Sequence, residues 1–66
     1  MTALSAQQQR IYDEIARYQR EEGYTPTLRV LGEAIGISQF TVNAHLKKII
    51  DKGRARRINP RHIELS

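Results

Sequence analysis

Gln39, Asn43 and Lys47 recur at every fourth position, and Arg54, Arg56, Arg57 and Arg61 follow them closely. A carboxamide pairs bidentately with the groove edge of adenine, and a cationic head neutralises a phosphate oxygen. Neither operation breaks a covalent bond. Four-residue spacing places the first three side chains on one side of a helix, so the chemistry on offer is recognition of a polyanion with readable edges. Double-stranded DNA is the partner that fits.

The charge distribution agrees with that reading. From Met1 to Leu46 the chain carries four arginines against five acidic residues, whereas Lys47 to Ser66 carries seven basic residues against Asp51 and Glu64. The whole excess of +4 therefore comes from the last third, as a phosphate-contacting face requires and general solubility does not.

Other chemistries have little support. No serine has an evident histidine base with an acidic orienter, no pair of carboxylates shares a face, and no glycine-rich phosphate loop is present. Cysteine is absent, and His45 and His62 are too few for a metal cage. The expectation is a non-enzyme without metal or cofactor. No apolar run approaches the roughly 20 residues of a membrane span, and Met1 to Gln9 has no export pattern, so a cytoplasmic protein without membrane contact is expected.

The elements that must hold these side chains can be read from caps and periodicity. Leu4, Ile11, Ile15 and Tyr18, widened by Ala16, predict an amphipathic first helix over about 6–22. Ser5 and Gln8 form a capping-box pattern at its start, and Gly23 stops it. Pro26 keeps Thr25 extended. Thr27 then caps a second helix over about 28–35, with Leu28, Leu31 and Ile35 inward and Gly32 allowing another helix to approach. Gly36 ends it, Ile37 plugs the turn, and Ser38 caps a third helix over about 39–51 whose apolar positions are Val42, Leu46, Ile49 and Ile50.

Two helices joined by a short glycine-containing turn form a helix-turn-helix. Gly53 is expected to close the third helix. Strands over about 54–58 and 62–65 then flank an Asn59-Pro60-Arg61 turn, and alternation puts Arg54, Arg56 and Ile58 on one face of the first. At 66 residues there is room for one domain over 1–66. The fold class expected is α+β: a small winged helix-turn-helix, three helices followed by a two-stranded antiparallel wing.

The chain resembles the N-terminal DNA-binding domain of the LexA family of repressors. The resemblance lies in Leu4-Ser5-x-x-Gln8-x-x-Ile11-x-x-x-Ile15, in Gly23-Tyr24-x-Pro26-Thr27, in Leu31-Gly32-x-x-Ile35-Gly36, and in His45-Leu46-Lys47-x-Ile49-x-x-Lys52-Gly53. It runs from about Thr2 to Leu65. Val30 stands where that family usually has an acidic residue completing a capping box from Thr27, and the stretch from Gly36 to His45 is one residue shorter than in the enterobacterial form. The family's self-cleaving, dimerising domain has no counterpart in these 66 residues. The resemblance implies a bacterial or phage regulator, most simply a repressor.

In such a domain the third helix reads base edges in the major groove and the preceding helix crosses the backbone. Ser38, Gln39, Phe40, Thr41, Asn43, Ala44 and Lys47 are the candidate reading residues. Gln39 or Asn43 would meet adenine, and Phe40 or Ala44 a thymine methyl. Phe40, the single phenylalanine, has two other readings, burial against the first helix or a protein interface. Thr27, Lys52, Arg54, Arg56, Arg57, Arg61 and His62 are the candidates for backbone and wing contacts, with Arg61 and His62 near the wing tip and within reach of the minor groove. His45 reads as a packed, hydrogen-bonded histidine.

Because one small domain makes few base contacts, a homodimer on a palindromic or tandem site is expected, or a regulatory protein partner. The competing reading is a protein-interaction module that modulates a host repressor or RNA polymerase, with Phe40, Tyr12, Tyr18 and Tyr24 as its aromatic anchors.

Overall fold

Serine or threonine stands at the entry to each helix, and each hydroxyl takes an orphan backbone amide of the first turn. The computed structural model describes residues 3–66. Met1 and Thr2, where the export argument and the family resemblance begin, lie outside the described residues. Helix α1 spans Ala6–Glu22; Ser5 Oγ accepts from the Gln8 amide at 3.2 Å, and Gln8 Oε1 accepts from the Ser5 amide at 3.0 Å. Helix α2 spans Leu28–Ile35, with the Val30 amide donating to Thr27 Oγ1 at 3.1 Å. Val30 has no polar end to reach back, so this cap is half a box. Helix α3 spans Gln39–Asp51 behind Ser38, whose Oγ accepts from the Thr41 amide at 3.2 Å.

Helix α3 passes through its cap residue Lys52 and is closed by Gly53, as expected. Gly53, at φ 75°, sends its amide to the Ile50 carbonyl, and the Arg54 amide reaches the Ile49 carbonyl at 3.1 Å. This paired closure satisfies two helix carbonyls and takes the Arg54 amide, while the Arg54 carbonyl still accepts from the Ser66 amide at 2.9 Å beyond the strand pair. Strand β1 is Ala55–Asn59 and strand β2 is His62–Leu65, antiparallel, so the first strand begins one residue later than its alternation predicts. Ladder partners run Ala55 to Leu65, Arg56 to Glu64 and Arg57 to Ile63, then jump to Asn59 and His62. Ile58 is the extra residue of a bulge, which breaks the alternation expected to align Arg54, Arg56 and Ile58.

The three helices and the wing close on one core. Ile11, Ile15, Leu31, Val42, Leu46 and Ile49 have no exposed surface, and Ala55 and Ile63 bring the wing into contact with them. Leu4, Leu28, Ile35, Ile37 and Ile50 pack around the edge. Tyr18, expected on the buried stripe, instead meets Tyr24 edge-to-face with centroids 5.4 Å apart. Donation from the Tyr18 hydroxyl to that of Tyr24 holds the Tyr18 phenol above its ordinary pKa. No helix among the described residues is long and apolar enough to cross a membrane.

Gly32 supports close approach, but of a turn rather than a helix flank. A β-carbon there would lie 2.6 Å from the Ile37 carbonyl oxygen and 3.4 Å from the Gln39 amide nitrogen. Gly32→Ala gains about 0.8–1 kcal/mol of helix propensity, yet the backbone shift it forces costs more, in the range of about 1–3 kcal/mol. The expected outcome is a net loss of up to about 2 kcal/mol, read as a lower urea midpoint. An unchanged or raised midpoint would show that the turn yields freely.

Candidate nucleic-acid interface

Helix α3 divides sharply by side. Val42, Leu46 and Ile49 are wholly buried, while Ser38, Gln39, Phe40, Thr41, Ala44 and Lys47 are exposed and Asn43 is half-buried beside them. Thirteen residues at 1.5 Å each make a rod about 20 Å long and about 10–12 Å across, which fits a major groove about 12 Å wide. Phe40 is 81% exposed, so burial against α1 is excluded. At the helix start the hydroxyls of Ser38 and Thr41 lie 3.0 Å apart, so the Ser38 side chain is engaged as a cap.

The basic residues, similar in sequence, have different surroundings. Arg57 and Arg61 are exposed and have no acidic partner among the described residues. They line a groove of about 490 Å³ between the wing and the start of α2, with Tyr24, Thr27 and Ile63 among its other walls. Lys47, on the outer face of α3, is likewise exposed and, among the described residues, unpaired. Arg56 meets Glu64 across the strands at 3.1 Å, both side chains open to solvent; an exposed pair of this kind is worth at most about 1 kcal/mol and is easily given up.

Two candidates have other work. Lys52 Nζ donates to Gln8 Oε1 at 2.6 Å and to the Ala3 carbonyl at 3.0 Å, tying the end of α3 to the start of α1. Gln8 is 4% exposed, so this bond draws the Lys52 head inward toward α1. Arg54, half-buried before the wing, lays its guanidinium over the Tyr12 ring at 5.3 Å. It too is committed to packing.

Thr27 is exposed at the α2 N-terminus, with its hydroxyl already holding the Val30 amide. His62 is exposed, and its Nδ1 lies 3.0 Å from Thr25 Oγ1. His45 is half-buried, but its Nδ1 has no hydrogen-bond partner among the described residues; it is packed without the expected bond. Sequence reasoning missed Gln19 and Thr25, whose side chains touch the wing. Their partner, Ile63, lies 44 and 38 positions away respectively, beyond any local signal.

The aromatic residues of the competing reading do not gather. Tyr18 meets Tyr24, Tyr12 lies under Arg54, and Phe40 stands apart on α3, stacked on none of the others among the described residues. Three helices, a polar outer face on the third, and a basic wing beside it define a winged helix-turn-helix domain of the nucleic-acid-binding class. The chain belongs to the LexA family: the model of the LexA DNA binding domain matches residues 1–62. It is 44% identical to the LexA repressors of a Geobacillus species and of Brevibacillus brevis, and 41% identical to that of Staphylococcus epidermidis. Each alignment covers 98% of this chain and 33% of the relative, so the chain spans about a third of the length of these curated relatives.

Proposed function

We propose that this domain binds double-stranded DNA sequence-specifically by laying α3 in the major groove, and that it represses transcription in the cytoplasm. Gln39, Asn43, Ala44 and Lys47 face the bases, and Phe40 packs on a thymine methyl. Arg57 and Arg61, with the start of α2, take the backbone or the neighbouring minor groove. The observation that carries this reading is the two-sidedness of α3, with a fully buried apolar side and an open polar side, in a domain whose wing carries two exposed arginines that have no acidic partner among the described residues. One copy presents few base-facing side chains, so high specificity calls for two copies on a two-fold or tandem site.

The test is a mobility shift across salt concentrations on duplexes selected from a random pool. A preferred site should emerge, with log affinity falling linearly against log salt. Arg61→Ala should weaken preferred and random duplexes alike and flatten that slope by about 0.9, the share of one neutralised phosphate. An unchanged slope would take Arg61 off the backbone. No duplex affinity at low salt would end the DNA reading and favour a protein-docking role for the exposed Phe40.

A further inference from the structure

A two-stranded hairpin is marginal in water, and its outer edges offer unpaired backbone groups. In the wing, Ile63 presents such an edge. Its amide donates to Thr25 Oγ1 at 3.2 Å, and its carbonyl accepts from Gln19 Nε2 at 2.7 Å. Gln19 Nε2 also donates to Thr25 Oγ1 at 3.0 Å. Two side chains from α1 and the α1–α2 connection thus stand where a third strand would pair.

Proton accounting then reaches His62. The Thr25 hydroxyl has two lone pairs and one proton. Ile63 N–H and Gln19 Nε2–H take the lone pairs, which leaves the hydroxyl proton for His62 Nδ1 at 3.0 Å. The ring must therefore accept at Nδ1 and carry its own proton on Nε2, a single tautomer selected from outside the wing. Local geometry supplies the reach: the Gln19 carbonyl takes the Gly23 amide at 3.0 Å, Gly23 adopts φ 84°, and Pro26 keeps the chain extended at Thr25.

We propose that Gln19 and Thr25 are positioning residues for duplex binding: off the reading face, they dock the free edge of β2 and orient His62, so that Arg57 and Arg61 meet the backbone in register with α3. The consequence for binding rests on the DNA reading above; the tautomer does not.

Thr25→Val removes the hydroxyl at nearly constant shape, and Thr25→Ser restores it. Without DNA, ring nitrogen chemical shifts of His62 should show the Nε2–H tautomer in the parent and in Thr25→Ser, and a tautomer mixture in Thr25→Val. On duplex DNA, Thr25→Val should flatten the salt slope by about 1–2, the share of the two wing arginines, with Thr25→Ser recovering it. A change in stability alone leaves that slope untouched while the domain is folded. If Thr25→Val does not fold, Gln19→Leu carries the test, since it removes the bond to the Ile63 carbonyl and keeps the hydroxyl. A parent that binds duplex with the same slope and the same His62 tautomer as its variants overturns this inference alone; a parent without duplex affinity overturns the DNA reading on which it rests.

Discussion

Leu46→Ala is expected to remove about 2–5 kcal/mol of folding free energy, the usual cost of emptying a filled leucine site. The whole domain, at 66 residues, holds about 3–10 kcal/mol. From about a fifth to the whole of the margin would go with one side chain. Leu46 has no exposed surface and belongs to the cluster shared by all three helices and the wing, so the packed core around it would have to collapse to refill the space. Alanine's slightly better helix propensity returns only a few tenths of a kcal/mol. Circular dichroism during urea unfolding should show a much lower midpoint, or no folded baseline at all. Ala44, exposed two positions earlier on the same helix, provides the comparison: Ala44→Ser should stay within about 0.7 kcal/mol. Equal stability for Leu46→Ala and the parent would mean that α3 does not pack by this face.

Asn43→Ala is expected to separate binding from folding. Asn43 lies three positions before Leu46 but half-buried on the boundary of the reading face, and alanine in its place should raise helix propensity by about half a kcal/mol. Folding should therefore hold or improve. Affinity for the preferred site should fall by about 1–3 kcal/mol, roughly five- to 150-fold, the worth of one bidentate base contact. Affinity for random duplex should barely change, because phosphate contacts remain. Parallel titrations on selected and random duplexes give the answer, and equal losses on both would remove Asn43 from the reading set.

These two residues also mark how far local reasoning reaches. The split between Leu46 and Asn43 follows from helical period, and the helix starts follow from Ser5, Thr27 and Ser38 bonding amides three residues ahead. Interactions of that range are written in neighbouring residues. Register was less legible. The paired closure at Gly53 took the Arg54 amide, and the bulge at Ile58 put the last ladder pair, Asn59 and His62, out of step by one; neither leaves a strong mark in a pattern of alternating residues.

The basic residues after Lys47 show the remaining boundary. Their number and their confinement to the last third are plain in the chain, as are the three helices, the third of which carries the polar face. Which cations stay open to a duplex is not. Lys52 is taken by Gln8 and Arg54 by Tyr12, Arg56 is held only by an exposed pair with Glu64 that is easily given up, and Arg57 and Arg61 remain unpaired among the described residues. A side chain's charge belongs to its residue, but its availability depends on which distant groups the packed core brings into contact with it. Nearby spacing governs the first, and chain closure governs the second.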